Sequence, residues 1–364
     1  MTKLRVGSIG CGGRARAHAR GYVFADNAEI VACADPVAES AASYAKDFGV
    51  ENVYSDYREM LEKEELDVVS NCTWTKLHTP IVVAVAESGV RAIHSEKPVA
   101  TSWGDAKKQH RAAVDHGVQL TYCHQRRFHP AFYCAKQLIK EGAIGELQRV
   151  EGSCRNLFDW GTHWFNMFCY YNDDQPAEAV MAQIDPKDTH TWFDVSMEGG
   201  GLAWIKWKNG VQGLMVTGHT GDVGANNFNR ILGADGMMEV GIGAELRLLS
   251  AGKTWRDVEL TGSPYDDDVA RICETMYHDD GQVVGMQTGG DMHFIADVLS
   301  VLDLLRCVES GEEPALSSHT ALASSELMFA AYESARQRAQ VVLPLQAEDW
   351  AFETMLEDGT LVVS

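Results

Sequence analysis

The sequence is short of basic residues. It has 31 lysines and arginines against 52 aspartates and glutamates, which gives a formal net charge of −21 at pH 7. Nucleic acids and anionic membrane surfaces repel such a chain, so we expect no nucleic-acid partner and no membrane partner. Any phosphate that the protein binds must be held by local backbone amides and helix ends, against the field of the whole chain.

The sequence also lacks a long hydrophobic run. No apolar stretch approaches the ~20 residues that cross a bilayer, and the opening 1-MTKLRVGSIGCGG-13 enters a strand without the hydrophobic region of a secretory signal. Its nine cysteines form no Cys-x-x-Cys pair and are irregularly spaced. They indicate reduced thiols, and we expect a cytoplasmic protein. Because a His-Glu-x-x-His motif and a Cys/His cluster are also missing, we predict no metal site.

The first third of the chain alternates short apolar strands with helices. The predicted strands are 4–9, 29–34, 66–72, 90–94 and 118–122, and the predicted helices are 14–25, 36–48, 56–63, 78–89 and 102–117. Strands separated by helices predict a doubly wound parallel sheet of the α/β class.

The pattern changes after about residue 122. Helices are predicted at 132–141, 294–311 and about 320–337, and strands at 147–155, 228–233, 236–241 and 245–250, with a hairpin at 200–218 around Asn209-Gly210. This predicts a C-terminal α/β domain with a large, mostly antiparallel, open sheet. We divide the chain into a dinucleotide-binding domain (1–122), a substrate-binding and oligomerisation domain (123–345) and a tail (346–364). The helix near 320–337 is a candidate to pack back on the first domain.

A glycine-rich loop joins the first predicted strand to the first predicted helix. The residues Gly10-x-Gly12-x-x-Ala15 match the GxGxxG/A pattern, in which glycines permit a tight turn and a close backbone approach to a pyrophosphate. The helix N-terminus adds unpaired amides and a partial positive charge, and Arg14 adds a cation. Glycines also make ordinary turns, but the strand–loop–helix–strand order favours dinucleotide binding.

Asp35 ends the second predicted strand, twenty residues after Ala15. An acidic side chain at this place accepts hydrogen bonds from the adenosine ribose diol. The alternative is an ordinary turn residue before Pro36. Because a carboxylate repels a 2′-phosphate and no Arg or Lys follows Asp35 until Lys46, we predict NAD rather than NADP.

Glu96-Lys97-Pro98 follows the predicted strand 90–94. Ligands of doubly wound sheets bind beyond the carboxyl ends of the strands, which places Lys97 near the nicotinamide end of a dinucleotide. A solvated surface lysine is the alternative, and position alone does not separate the two.

The stretch 157-LFDWGTHWFNMF-168 is apolar and aromatic, yet it contains Asp159 and His163. If the stretch is one helix, these two residues share a face because they are four positions apart. A buried carboxylate and imidazole are costly unless they have partners. They are therefore either a satisfied structural contact or, together with Lys97, part of an active site.

Taken in order, these features resemble the glucose-fructose oxidoreductase / inositol dehydrogenase / MocA family. The resemblance also includes residues 73–78 and 141-EGAIGELQ-148, covers roughly residues 4–345 and is strongest before residue 170. The chain departs from the family where 73-TW-74 replaces the usual Thr-Pro and where Asn166 replaces an acidic residue. These departures leave the substrate more open than the chemistry.

The resemblance implies a Rossmann domain that binds NAD(P), followed by an α/β domain whose open sheet forms a homodimer or homotetramer. It implies a sugar, glycoside or inositol as substrate, a cis peptide at Pro98, and Lys97, Asp159 and His163 as catalytic residues. The candidate cofactor contacts are Gly10, Cys11, Gly12, Gly13, Arg14, Ala15, Asp35, Thr73, Trp74, His78, Glu96 and Lys97. The candidate substrate contacts are Lys97, Arg127, Arg155, Asn156, Asp159, Trp160 and His163. For Arg127 a salt bridge at a helix entry is the alternative.

The expected reaction removes a hydride from a carbinol carbon, which requires that its hydroxyl lose a proton. Histidine suits the role of base. We predict that His163 accepts the proton, that Lys97 polarises the oxygen, that Asp159 positions its partners, and that the hydride passes to the nicotinamide. Lys97 and His163 can exchange the role of base.

Two other functions stay open. In the first, a glycosidase or lyase with the same dinucleotide fold oxidises a sugar transiently and forms no net NADH. In the second, the chain is a non-catalytic dinucleotide-binding regulator, against which the presence of Lys97, Asp159 and His163 argues. Net NADH formation separates a dehydrogenase from the first alternative.

Overall fold

The computed structural model describes residues 3–218, 228–241, 245–278 and 292–361 of the 364-residue chain. Contacts within the chain group it into two compact units. The first unit contains Met1–Glu96, Lys108–Phe128 and Pro264–Ser318, and the second contains Lys97–Lys107, His129–Ser263 and His319–Ser364. Each unit gathers segments that are far apart in the sequence, so the predicted linear division into 1–122, 123–345 and 346–364 stays a prediction.

The first unit is built on a six-stranded parallel sheet. Its strands are β1 (Leu4–Ile9), β2 (Ala28–Ala34), β3 (Asn52–Tyr54), β4 (Val68–Asn71), β5 (Ala92–Ser95) and β6 (Gln119–Tyr122). They lie in the order β3-β2-β1-β4-β5-β6, and every neighbouring pair is parallel. The order reverses between β1 and β4, where ligands of doubly wound sheets bind. The predicted parallel sheet is confirmed.

The second unit is built on a nine-stranded sheet. Its strands are β7 (Leu147–Cys154), β8 (Ala177–Asp185), β11 (Gly200–Trp207), β12 (Gln212–Gly218), β13 (Phe228–Gly233), β14 (Gly236–Gly241), β15 (Leu246–Ser250), β16 (Arg256–Asp257) and β17 (Val341–Val342). They lie in the order β16-β15-β14-β13-β7-β12-β11-β8-β17, antiparallel except for the β7–β12 pair. A separate hairpin joins β9 (His190–Trp192) to β10 (Val195–Met197). The predicted mostly antiparallel sheet is confirmed.

Helices flank both sheets. They are α1 (Gly13–Phe24), α2 (Ala38–Phe48), α3 (Tyr57–Lys63), α4 (Thr75–Glu87), α5 (Trp103–Asp115), α6 (Pro130–Lys140), α7 (Gly161–Tyr171), α8 (Asp266–His278), α9 (Met292–Ser310), α10 (Ser318–Gln337) and α11 (Ala351–Glu357), with a short 3-10 helix at Gln125–Phe128. Most predicted helices are present within a few residues of the predicted bounds. Ser102 precedes α5 and caps it, because its Oγ accepts a hydrogen bond from the Asp105 amide at 3.1 Å.

The core of the first unit includes the apolar stripe predicted along α9. Phe294, Val298, Val301, Leu305 and Val308 are all buried, as a helix with apolar residues at this spacing requires. Among the residues that the structure describes, no helix combines the length and the apolar character that crossing a membrane would need. The cysteines are thiols, as the sequence predicted.

The contact between α1 and α9 generates a stability prediction. A Cβ added at Gly21 would lie 2.6 Å from Val301 Cβ, so Gly21→Ala forces the two helices apart. We expect this variant to lose about 1–3 kcal/mol of unfolding free energy, the usual effect of overpacking. Urea unfolding without NAD measures the loss.

Gly13→Ala is the matched control in the same helix. A Cβ at Gly13 would meet nothing within 4 Å, and alanine is the better helix former. We expect Gly13→Ala to leave stability unchanged or slightly higher. Equal urea midpoints for the two variants would contradict the account of the α1–α9 contact.

Candidate active site

The glycine loop between β1 and α1 has the geometry that its sequence predicted. Gly10 has a φ of +82°, and a Cβ there would lie 2.8 Å from the Cys72 carbonyl oxygen, so only glycine fits. Added Cβ atoms at Gly12 and Gly13 would meet nothing within 4 Å, so the backbone of the loop is open on that side. Helix α1 begins at Gly13 and directs its first amides toward the same loop.

Asp35 follows β2 and lies against the glycine loop. Its Oδ2 accepts a hydrogen bond from the Cys11 amide at 2.8 Å, and its Oδ1 accepts one from the Val37 amide at 2.8 Å. The carboxylate is therefore fixed beside the first turn of the loop. This is the place where an acidic residue meets an adenosine ribose in dinucleotide-binding folds.

The loop after β4 is organised by the buried side chains of Asn71 and His78. Thr73 Oγ1 donates to Asn71 Oδ1 at 2.8 Å, and His78 Nε2 lies 3.1 Å from the Thr73 carbonyl oxygen. His78 is buried and supports the loop through this contact, whereas the Trp74 side chain is 51% exposed. Of the predicted contacts here, we keep Thr73 and Trp74 as candidate cofactor contacts and assign His78 a supporting role.

Four ionisable side chains form what we call the charge cluster: Arg14, His18, Glu96 and Asp297. Arg14 donates from Nε to Glu96 Oε1 at 2.6 Å and from its terminal nitrogens to Asp297 at 2.9 and 3.1 Å. His18 Nε2 lies 3.0 Å from Glu96 Oε1. Arg14 and Glu96 were both predicted to contact the cofactor; in the structure Arg14 binds Glu96 and Asp297, and Glu96 binds Arg14 and His18. We therefore omit both from the proposed cofactor contacts.

His18 of the charge cluster and the neighbouring buried His94 differ in charge. Burial opposes the charged form of His18, but the sulfur of Cys72 and the carboxylate of Glu96 favour it more, so the pKa of His18 lies well above its usual range. The charged ring donates to Ser70 Oγ at 2.8 Å and to Glu96. Burial and the positive charge of His18 hold the pKa of His94 well below its usual range. The two cations and two carboxylates of the charge cluster therefore balance.

His18, His94 and Cys123 also have donor atoms within 4.8 Å of one another, a spacing that could hold a metal ion. Thr121 Oγ1 donates to the Ile93 carbonyl at 3.2 Å, so His94 Nδ1 must be the donor in its 2.8 Å bond to Thr121. His18, however, uses both ring nitrogens as donors when charged and has no lone pair for a metal. We therefore treat these residues as part of the hydrogen-bonded interior.

Lys97 and Asp159, predicted to be catalytic, lie together in the second unit. Lys97 Nζ donates to Asp159 Oδ1 at 2.7 Å and to the Asp159 carbonyl oxygen at 3.0 Å. Their side chains are 19% and 20% exposed, so the pair is neither fully buried nor freely solvated. The Lys97–Pro98 peptide is cis, as the resemblance implied. The structure thus brings together two residues that are 62 positions apart in the chain.

A tight turn at residues 156–161 presents Asp159, and here the sequence-based expectation was wrong. Helix α7 begins only at Gly161, so Asp159 and His163 are not on one face of a single helix. Asn156 prevents an earlier start, because its Oδ1 accepts the amides of Asp159 at 2.7 Å and Trp160 at 3.1 Å. Its carbonyl oxygen accepts the Gly161 amide at 2.9 Å. Asn156 is buried and shapes the turn, so we do not propose it as a substrate contact.

His163 and two neighbouring side chains complete the candidate site. His163 lies in the first turn of α7 and is 6% exposed, with its amide bonded to the Trp160 carbonyl oxygen at 3.2 Å. The exposed Arg155 guanidinium lies 5.7 Å from the centre of the Trp160 ring. A cation stacked on an indole offers both a flat apolar face and hydrogen-bond donors. Arg127 is buried in the 3-10 helix of the first unit.

Sequence reasoning missed three buried polar residues that support these groups: Asp297, Glu198 and Tyr332. Asp297 was visible as a carboxylate next to the apolar stripe of α9. Glu198 was visible as a lone acid before three glycines in 195-VSMEGGG-201. Tyr332 gave no signal, because tyrosine is ordinary in a half-buried helix.

The fold and the loop geometry agree with what comparisons with known proteins give. Residues 4–124 match an oxidoreductase family with an NAD-binding Rossmann fold. This defines the N-terminal part of the chain as the NAD-binding Rossmann domain of an oxidoreductase family.

Similar proteins include two curated dehydrogenases. The NAD-dependent scyllo-inositol 2-dehydrogenase of Bacillus subtilis is 25% identical over 94% of this chain and 97% of its own length. The D-apiose dehydrogenase of Paraburkholderia graminis is 35% identical over 42% of this chain and 40% of its own length, so that alignment spans less than half of either protein.

A solved structure of levoglucosan dehydrogenase, in complex with NADH and levoglucosan, has the same fold. It superposes with a TM-score of 0.78 at 23% identity and covers 94% of this chain and 100% of the other. The N-terminal region of this chain, residues 4–124, belongs to the glucose-fructose oxidoreductase / inositol dehydrogenase / MocA family, whose model describes an NAD-binding Rossmann fold.

The position of Asp35 generates a binding prediction. We expect Asp35→Ala to weaken NADH binding by about tenfold to a hundredfold, which corresponds to the loss of hydrogen bonds to a charged acceptor. NADPH should be affected less, because the carboxylate no longer repels its 2′-phosphate. Fluorescence titration with both nucleotides measures the two dissociation constants.

Asp56→Ala is the control. Asp56 also accepts a backbone amide, that of Arg58 at 2.8 Å, but this bond caps α3 and no bond joins Asp56 to the glycine loop among the described residues. It should bind NADH as the wild type does. An Asp35→Ala variant with unchanged affinity and unchanged preference between the two nucleotides would rule out the ribose contact.

Proposed function

We propose that the protein is an NAD-dependent dehydrogenase that moves a hydride between a ring hydroxyl carbon of a sugar, glycoside or inositol and the nicotinamide. The observation that carries the proposal is the partly buried Lys97–Asp159 pair, at 2.7 Å, in a chain with an NAD-binding domain. The carboxylate and the carbonyl oxygen of Asp159 both accept from the Lys97 Nζ, which fixes the direction of this group. A fixed ammonium stabilises the negative charge that develops on a hydroxyl oxygen as its proton leaves.

Each residue of the candidate site has a separate task in this proposal. Lys97 binds the hydroxyl oxygen, Asp159 holds the ammonium through both its carboxylate and its carbonyl, and His163 accepts the proton. Lys97 can take the role of base if its proton is first shared with Asp159. Trp160 and Arg155 present a flat apolar face and a cation, which suit the ring and the hydroxyl groups of a sugar.

The residues of the first unit fit the cofactor. The open backbone at Gly12 and Gly13 and the first amides of α1 suit a pyrophosphate, and Asp35 suits a ribose diol. Gly10, Cys11, Ala15, Thr73 and Trp74 complete the proposed cofactor contacts. Bound NAD supplies the hydride acceptor, and the side chains of this chain supply the proton acceptor and the charge stabilisation.

Three further statements belong to the proposal. The relatives are named for apiose, inositol and levoglucosan, which supports a neutral carbohydrate or cyclitol as the substrate class. A homodimer or homotetramer through the nine-stranded sheet is supported by Met181 and Leu202, which are 51% and 48% exposed on the adjacent strands β8 and β11. The cytoplasmic location stays a prediction from the sequence.

The test is NADH formation, followed by absorbance, against a panel of neutral sugars, inositols and glycosides. We expect at least one substrate to give net NADH with the wild type. Lys97→Met should then lower kcat by about a hundredfold or more, because the developing oxyanion loses its charged partner. NADH affinity should stay within a few-fold.

Lys107→Met is the matched control. Lys107 also pairs with a carboxylate in the second unit, Glu348 at 2.6 Å, but this pair is on the surface. It should turn over as the wild type does. Equal kcat in Lys97→Met and the wild type would overturn the assignment, and turnover of a glycoside without net NADH would instead indicate a redox-neutral glycosidase or lyase.

A further inference from the structure

Four backbone amides of the 156–161 turn are held by named groups. Asn156 accepts the amides of Asp159, Trp160 and Gly161, as described above, and the amide of Leu157 donates to Glu198 Oε1 at 2.6 Å. The Phe158 ring packs on Trp350 with ring centres 5.0 Å apart, and Trp350 packs on Tyr332. The turn is thus held by its own asparagine and by side chains from outside it. A turn fixed in this way presents Asp159 in one orientation.

The Glu198 side chain connects the Leu157 amide to the Tyr332 hydroxyl. It lies between β10 and β11 with no exposed surface. Its Oε1 receives the Leu157 amide, and its Oε2 receives the Tyr332 hydroxyl in a short hydrogen bond. Tyr332 belongs to α10 and packs edge-on against Trp350, with ring centres 4.5 Å apart. A buried carboxylate is costly unless it is hydrogen-bonded, and both oxygens of Glu198 have a donor here.

We propose that Glu198 is a positioning residue for the proposed reaction: through Leu157 and Tyr332 it fixes the 156–161 turn, and the turn fixes the Lys97–Asp159 pair. The coupling is direct, because Lys97 donates to the Asp159 carbonyl oxygen at 3.0 Å as well as to its carboxylate. Any shift of the turn backbone therefore moves the ammonium. Glu198 touches neither substrate nor cofactor in this account, so it acts on kcat and leaves KM unchanged.

The ionisation of Glu198 makes the role measurable. Burial raises the pKa of Glu198 to about 7, although its bonds from Tyr332 and the Leu157 amide lower it in part. The titratable groups that face this network among the described residues are Tyr332 on α10 and Cys154 on β7. As a carboxylate, Glu198 accepts both hydrogen bonds. Once protonated it loses the negative charge that strengthens the bond from the Leu157 amide, which weakens the hold on the turn.

Glu198→Gln is the sharp test, because glutamine has the shape and the donor–acceptor pattern of the protonated acid. We expect the ratio of wild-type to variant kcat to be near one at acid pH. It should rise through the neutral range to about threefold to tenfold at alkaline pH, the worth of one net hydrogen bond. Taking the ratio cancels every effect of pH on turnover that the two proteins share. KM should not change.

The stability of the same two proteins separates positioning from a merely structural role. Because the folded-state pKa of Glu198 is raised, the wild type loses stability relative to Glu198→Gln as the pH rises toward neutral and beyond. Activity that simply followed stability would therefore favour the variant at alkaline pH. The proposal requires the opposite, and thermal unfolding at each pH supplies the comparison.

Glu326→Gln is the matched control. Glu326 is a carboxyl group on α10 that also accepts a backbone amide, that of Leu345 at 2.8 Å, and burial raises its pKa as well. Its kcat ratio to the wild type should be flat across pH. A flat ratio for Glu198→Gln too, or a variant more active than the wild type at alkaline pH, would overturn the positioning role.

The inference rests on the proposed function, and one further measurement keeps their failures apart. Acetylation of Lys97 as a function of pH, read by peptide mass spectrometry, reports the ammonium without any substrate. We expect Lys97 in Glu198→Gln to be acetylated faster than in the wild type at alkaline pH, and Glu326→Gln to match the wild type. A wild type without turnover refutes the dehydrogenase, whereas identical acetylation and identical pH profiles in all three proteins refute the positioning role.

Discussion

The bond between the Lys97 ammonium and Asp159 is the interaction on which the rest of the site depends. It is formed twice, to a carboxylate and to a carbonyl oxygen of the same residue. A single ion pair at a partly exposed place has little worth for stability. Here the interaction orients the lysine, since two acceptors on one rigid turn define the direction of the ammonium.

Both units stabilise charged side chains away from bulk water, but with different kinds of partner. In the second unit the charged pair is supported by the neutral Asn156 and by a turn with four bonded amides, one of which the buried carboxylate of Glu198 accepts. In the first unit the charge cluster supports itself, because Arg14 and His18 share Glu96 and Arg14 also binds Asp297. Both arrangements leave the buried charges with partners, as low-dielectric surroundings demand.

Much of this could be predicted from the sequence where local rules apply. The glycine loop, Asp35, the parallel strand order and the α9 stripe follow from turn chemistry and periodicity. The start of α7 was wrong because an asparagine side chain competed for the helix amides, which a count of apolar spacing does not include. The strand β8 and the helix α8 were missed because their burial is set by distant segments. Glu198 and Tyr332 act through contacts 41 and 134 positions away, which no local pattern encodes.

The charge balance of the cluster also constrains how the chain can change over evolutionary time. Its four members come from three places, with Arg14 and His18 on α1, Glu96 after β5 and Asp297 on α9. Neutralising any one of them leaves one charge of the cluster without a counter-charge in the interior of the domain. Viable substitutions there should therefore arrive as compensated pairs, and drift at these positions should be correlated even though they are as much as 283 residues apart.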